Sequence, residues 1–289
     1  MKKIFGLVIL VILLTGCGIT NDHPKSMPQE QKENHSTEET KVPPKTEQEK
    51  GNEANNDVTE KEDSVEVEDK EVVTVPTYRL NPSNWAIEPI SEANEKVVLL
   101  TIDDAPDQHA LEMASTLKEL GVSAIFFVNG HFIDTNEEKE ILKKIHEMGF
   151  PIGNHTMTHA NLKNSSEEEQ YKEIVGLSDR IEQIIGERPR FFRAPFGVNT
   201  DYSRQLVEQE GMLLMNWTYG YDWEKDYRTK ESLADIMVNT PLLRNGANLL
   251  MHDREWTNAA LADIVTGLQS KGYEIVDPNT IETPKNTGN

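Results

Sequence analysis

The chain has one cysteine, Cys17, in 289 residues. A single thiol excludes an internal disulfide and any cysteine-built zinc site, so the fold must be held by packing or by a metal bound through other side chains. Basic residues are outnumbered: 29 Lys and Arg against 50 Asp and Glu give a formal net charge of −21. That balance argues against nucleic acid or an anionic lipid surface as a partner and favours a neutral substrate. There is no glycine-rich phosphate loop, no internal repeat and no heptad pattern, which leaves nucleotide binding, solenoids and coiled coils without support. Aromatic residues are missing from one whole segment, since residues 18–77 contain no Phe, Trp or Tyr.

That segment is rich in Glu, Lys, Asn, Thr and Pro and shows no helical or alternating apolar pattern. It cannot bury enough apolar surface to offset its ordering entropy, and is expected to be a disordered tether with a span of roughly 40 Å. Before it, Lys2-Lys3 precede an apolar stretch over 4–14, which is shorter than the ~20 residues a membrane-spanning helix needs and reads as an export signal. The stretch closes on Leu14-Thr15-Gly16-Cys17, which resembles the lipobox of bacterial lipoproteins, in which the cysteine is acylated and becomes the new N-terminus. The expected organisation is a signal peptide over 1–16, a tether over 17–77 that starts at a lipidated Cys17, and one folded domain over 78–289. A monomer on the extracytoplasmic face of a cell membrane, attached through that lipid, is the corresponding expectation.

In the domain, short apolar runs alternate with longer amphipathic ones. Strands are expected over 97–102, 124–128, 150–154, 191–196, 212–218, 247–251 and 273–276, with helices over 111–120, 137–148, 167–185, 202–210, 230–239 and 258–270. Glycines at 121, 149, 186, 211 and 272 follow several of these helices, as a C-terminal cap requires. Strand and helix in alternation imply an α/β fold with a parallel sheet. The chemistry-bearing residues fall just past the strand ends, where a β/α barrel would gather them around one mouth.

Two of these clusters suggest a metal. His155-Thr156-Met157-Thr158-His159 places two imidazoles four residues apart, a spacing that shares a face in a helix and in a strand. The acidic pair Asp103-Asp104 ends the first apolar run. Two histidines and a carboxylate leave a coordination position open, as in catalytic sites. Neighbouring strand residues point to opposite faces, so both acids reach one mouth only if regular strand geometry has ended, and Ala105-Pro106 is the expected ending.

Five clusters in order then resemble the motifs of a polysaccharide deacetylase of the NodB-homology type, carbohydrate esterase family 4. They are Thr101-Ile102-Asp103-Asp104-Ala105, His155 to His159, Arg193-Ala194-Pro195-Phe196-Gly197, Tyr219-Gly220-Tyr221-Asp222-Trp223 and Leu250-Met251-His252. The resemblance implies a distorted (β/α) barrel of about seven β/α units. Ala105 replaces a glycine of the family pattern and would be strained at positive φ, and Tyr219 replaces an aspartate that would contact the site.

By resemblance, Asp104, His155 and His159 hold a divalent ion, zinc by preference, with cobalt or nickel suited to the same ligands. Asp103 is then the general base, Arg193 its tether, His252 the general acid and Asp222 the carboxylate that orients and charges it. Phe196 would offer its backbone N–H to the oxyanion. Leu250 and Trp223 would wall a pocket for the acetyl methyl. His109, His131 and His146 are expected to be solvated and without partners. The implied activity is removal of acetyl from N-acetylglucosamine units of a cell-wall or related polysaccharide. An O-acetyl esterase on acetylated sugars is the alternative within the class, and a non-catalytic solute- or glycan-binding lipoprotein the alternative outside it.

Overall fold

A computed structural model describes residues 75–284. Cys17 and nearly all of the expected tether lie outside the described residues. A short antiparallel hairpin comes first, β1 (Tyr78–Leu80) and β2 (Ile87–Pro89). The α/β region follows as β3 (Val97–Ala105), α1 (Ala110–Glu119), β4 (Ile125–Val128), α2 (Asn136–Glu147), β5 (Ile152–Asn154), α3 (Glu167–Ile185), β6 (Phe191–Phe192), α4 (Asp201–Gln209), β7 (Leu213–Leu214), α5 (Lys230–Asn239), β8 (Ala247–His252), α6 (Glu255–Ser270) and β9 (Glu274–Ile275). All seven strands and six helices expected from the sequence are present; five strands are shorter than expected, while β3 and β8 run on past the expected ends to Ala105 and His252. The hairpin was not expected: each of its strands has only three residues and Pro89 ends the second, too little for a periodic signal.

The seven-stranded sheet is parallel throughout, in the order β7-β6-β5-β4-β3-β8. β8 follows one edge of β3, and β9 pairs with the first residues of β3. Five residues past β7, Tyr219 bridges Leu249 of β8 at the other end of the sheet, so the sheet curls until its two ends nearly meet. This is the distorted barrel that the motif resemblance implies.

Strand alternation sorts the side chains into two layers. Val98, Leu100, Ile102, Phe126 and Val128 pack outward with Met113, Leu117, Ala260 and Ile264 of the helices. Val97, Leu99, Ile125, Phe127 and Phe191 form a separate inner cluster, which Ile87 of the hairpin joins beside the start of β3. Helix ends are set by local chemistry: Thr135 and Ser166 make reciprocal capping boxes with Glu138 and Glu169, and Gly186 takes the left-handed conformation that ends α3.

Candidate metal and acid-base site

The same alternation delivers the site. Thr101 and Asp103 continue the inward row of Val97 and Leu99, Arg193 continues that of Phe191, and Asn248, Leu250 and His252 form the inward row of β8. Polar groups therefore replace apolar ones towards the C-terminal end of the barrel. They line a cleft of ≈ 600 Å³ that includes Asp103, Asp104, His155, His159, Phe196, Asp222, Trp223, Leu250 and His252. Arg193 lies beneath, fully buried.

Alternation alone would aim Asp104 outward. The strand ends at Ala105, before Pro106, where the ending was expected, but its geometry is already irregular at the acidic pair, with a register shift against β4 between Ile102 and Ala105. Asp104 takes φ 59°, and this left-handed residue swings its carboxylate into the cleft beside its neighbour. The strain foreseen at Ala105 thus falls on Asp104, a residue type that tolerates that region better than most. Of six non-glycine residues with positive φ among those described, four are in or beside the site: Asp104, Thr156, His159 and Phe196. Backbone strain of this kind gathers where structure around it fixes an unusual geometry.

His155 to His159 is neither helix nor strand, so the shared-face argument does not explain how the two rings meet. The segment is an irregular loop with left-handed turns at Thr156 and His159, clamped from three sides. Asn154 Oδ1 accepts the Thr156 N–H at 2.9 Å, and the buried Asn129 amide donates to the carbonyl of His155 at 2.6 Å. Glu173 on α3 accepts both the N–H and the hydroxyl of Thr158, at 2.8 and 2.6 Å. The His155 Nδ1–H donates to the Arg193 carbonyl at 2.7 Å, which leaves Nε2 free to face the cleft.

Asp104 Oδ1 lies 3.5 Å from His159 Nε2 and 3.8 Å from His155 Nε2, and the three donor atoms lie within 4.8 Å of one another. Ligands about 2.1 Å from a tetrahedral ion are separated by about 3.4 Å, so these donors are spaced to hold one. Burial and the nearby His155 push the His159 imidazole below its ordinary value, towards the neutral form a ligand needs. For Asp104, burial opposes ionisation, but the surrounding histidines and Arg254 outweigh it and hold the carboxyl below its usual range.

Asp103 faces this trio, its Oδ2 3.5 Å from His155 Nε2. Its other oxygen accepts from Arg193 Nη1 at 2.6 Å, and the same nitrogen donates to Thr101 Oγ1 at 2.8 Å. Nη2 donates to the Asn216 carbonyl at 3.1 Å, and the guanidinium lies 4.4 Å over the Phe127 ring. Across the cleft, Asp222 is buried and accepts from His252 twice, from Nδ1 at 2.7 Å and from the backbone N–H at 2.6 Å. Thr257 donates to Asp222 Oδ2 at 2.8 Å. Burial disfavours charge on His252 more than any other single influence, but Asp222, with Asp103 and Asp104, together outweighs it and holds the imidazole above its ordinary value.

Phe196, at φ 59°, and Trp223 are exposed at the mouth, the Phe196 ring 4.9 Å from that of His159 and the Trp223 ring 5.7 Å from that of His252. Gly220 lets the preceding loop lie directly on β8, where a Cβ would strike the Leu250 carbonyl. Tyr219 is not in the cleft: it is buried, and its hydroxyl donates to the Met237 carbonyl at 2.7 Å. His109 and His146 do have partners, Glu112 at 3.3 Å and Glu187 at 4.0 Å, and neither they nor His131 line the cleft.

Sequence reasoning assigned no role to Asp253, Arg254, Trp217, Trp256 or Arg228. Asp253 accepts the N–H groups of Asp107, His109 and Ala110 at 2.7, 2.7 and 3.0 Å, and so ties down the loop that leaves Asp104. Arg254 Nη2 donates to Asp104 Oδ2 at 2.7 Å. Trp217, Trp256 and Arg228 line the cleft. The adjacency of Asp253 and Arg254 to His252 was the available signal.

Comparison with known proteins agrees with this geometry. A family model described as polysaccharide deacetylase matches residues 91–215. A peptidoglycan-N-acetylglucosamine deacetylase of Bacillus cereus is 32% identical over 192 residues, covering 63% of this chain and 86% of that protein. The peptidoglycan-N-acetylmuramic acid deacetylase PdaC of Bacillus subtilis is 32% identical over 196 residues, which cover 67% of this chain and only 40% of PdaC. The solved structure of PdaC superimposes with a TM-score of 0.56 at 32% identity, over 63% of this chain and 88% of that one. A carbohydrate esterase family 4 pseudoenzyme of Bacillus anthracis gives a TM-score of 0.57 at 29% identity, over 63% of each chain. The chain belongs to the polysaccharide deacetylase family.

Proposed function

We propose that the protein is an active, metal-dependent deacetylase that removes acetyl from N-acetylglucosamine units of peptidoglycan or a related cell-wall polymer. The observation that carries this reading is that one cleft holds the ligand trio Asp104, His155 and His159 between a tethered carboxylate and a histidine charged by its own carboxylate. A family that includes pseudoenzymes makes completeness of the apparatus the relevant support, and here the ligand trio, the base with its arginine and the acid with its carboxylate are all in place, while Ala105 and Tyr219 depart from the family pattern. The names of the relatives point to peptidoglycan as the polymer.

A divalent ion, zinc by preference, would supply an activated water and polarise the acetyl carbonyl. Asp103 would act as the general base towards the attacking water, and Arg193 pairs with its carboxylate and aims it. His252 gives a proton to the departing amine, which leaves poorly without one, and Asp222 fixes the Nδ1–H tautomer so that Nε2 faces the substrate. The Phe196 N–H is assigned to the oxyanion, and Leu250 and Trp223 to the walls of the methyl pocket. Cys17 is proposed to anchor the chain by its lipid at the extracytoplasmic face of the membrane, with the domain as a monomer at the end of its tether; the lipobox pattern supports this.

The test is acetate release from N-acetylglucosamine oligomers and from peptidoglycan, with and without added zinc. Release that depends on the ion is expected. Release from O-acetylated sugars alone would favour the esterase alternative, and tight glycan binding without turnover the binding module.

A further inference from the structure

Arg254 stands between the end of β8 and the start of α6, and its guanidinium is held on its far side by the Asp253 carbonyl at 2.9 Å and by Asp107 Oδ2 at 3.5 Å. Its free edge reaches one oxygen of the metal-ligand candidate, Asp104 Oδ2, at 2.7 Å. The other oxygen, Oδ1, is the one turned to His155 and His159. The two oxygens of Asp104 thus have separate partners, one a fixed cation and the other the ligand cluster.

We propose that Arg254 is a positioning residue that restricts Asp104 to one-oxygen ligation of the ion. The proposal rests on the deacetylase reading given above. A carboxylate with both oxygens free can bind an ion through both, and the second oxygen would take a coordination position that water and the acetyl oxygen need. Arginine suits the restraint, because its planar fork holds several acceptors at fixed angles, whereas an ammonium is a flexible point charge. The Coulomb term has a definite sign as well. A guanidinium beside the ligand carboxylate competes with the ion for its charge, so the restraint weakens metal affinity in exchange for an open position.

This predicts an uncommon combination. Arg254→Gln should bind zinc or cobalt as tightly as wild type or more tightly, while kcat on an N-acetylglucosamine oligomer falls by about tenfold or more. The visible absorption of the cobalt-loaded variant should weaken, as it does when the coordination number rises. Arg254→Lys, which keeps a cation near Oδ2, should restore most of the cobalt spectrum and part of kcat. Metal affinity by competition against a chelator, the cobalt spectrum and steady-state kinetics would be measured on the full chain.

Weaker metal binding in Arg254→Gln would show that the arginine merely props up the ligand, and would overturn the proposal. An unchanged cobalt spectrum or an unchanged kcat would overturn it too. Wild-type protein that binds cobalt and releases no acetate would overturn the deacetylase reading alone, since the spectrum and affinity of the variant still decide the role of Arg254. Wild-type protein that binds no cobalt would overturn both.

Discussion

Arg193 and Asp103 form an ion pair of 2.6 Å inside the barrel, with side-chain exposures of 0% and 3%. Both side chains are almost wholly withdrawn from bulk solvent, so each charge depends largely on the other. Burial pulls the Arg193 guanidinium down from its ordinary value while Asp103 supports it. Arg193→Met should therefore leave a stranded carboxylate and cost about 3–5 kcal/mol, a fall in Tm on the order of 10 °C for a domain of this size. The double variant Arg193→Met/Asp103→Asn should recover much of the loss, since it removes both charges. Thermal unfolding of wild type, both single variants and the double variant checks this. A single Arg193→Met variant that melts with wild type would mean the pair is not a closed unit.

Asp104 offers a way to separate charge from backbone geometry. At φ 59°, asparagine fits nearly as well as aspartate, whereas alanine adds a left-handed penalty of roughly 1–2 kcal/mol. Asp104→Asn should thus lose bound metal with little change in Tm, and Asp104→Ala should lose metal and stability together. His155→Ala and His159→Ala should lose metal as well, while Asp103→Asn keeps the ion and loses turnover. Elemental analysis beside thermal melts would decide, and unchanged metal content in the Asp104 and histidine variants would remove the ligand assignment.

Asp253 makes a prediction about the loop. Its carboxylate takes three backbone N–H groups, those of residues 107, 109 and 110. Asp253→Ala should leave these donors unsatisfied or driven into solvent, at about 1–3 kcal/mol. Amide hydrogen exchange should speed up at Asp107, His109 and Ala110 before it does in β3. Unchanged protection at those three amides would show that other contacts hold the loop.

Much of this was legible beforehand, for reasons that the structure makes explicit. Strand alternation is a two-residue rule, so the inward row from Val97 to Asp103 could be read from sequence once β3 was placed, and the strand-end clusters marked the mouth. What stayed hidden depends on φ and on contacts between distant segments. No spacing rule shows that Asp104 turns left-handed inside a strand, or that His155 to His159 is a loop clamped by Asn129, Asn154 and Glu173. Arg254 was missed because its partner is 150 residues away in sequence, and a lone arginine at a helix start has no pattern to announce it.

His252 yields a prediction in which pH and leaving group must agree. Its imidazole is held above the ordinary histidine value of about 6.5, against burial, chiefly by the charge and hydrogen bond of Asp222. A raised pKa means that the acid form persists to higher pH and is lost only as pH climbs through the raised value. The alkaline limb of kcat for amide substrates should therefore lie above the ordinary histidine range. Asp222→Asn removes the leading support of the charged form and should shift that limb to lower pH. An amine must be protonated as it departs, while the phenolate of an activated aryl acetate needs little help. His252→Ala should accordingly suppress hydrolysis of an N-acetylglucosamine oligomer far more than hydrolysis of the aryl ester, with Asp222→Asn showing the same bias more mildly. Steady-state rates on both substrates across pH, with metal content measured in parallel, form the test. Equal losses on the two substrates at unchanged metal content would mean that His252 serves the bound ground state, and would weaken the amide as the natural target.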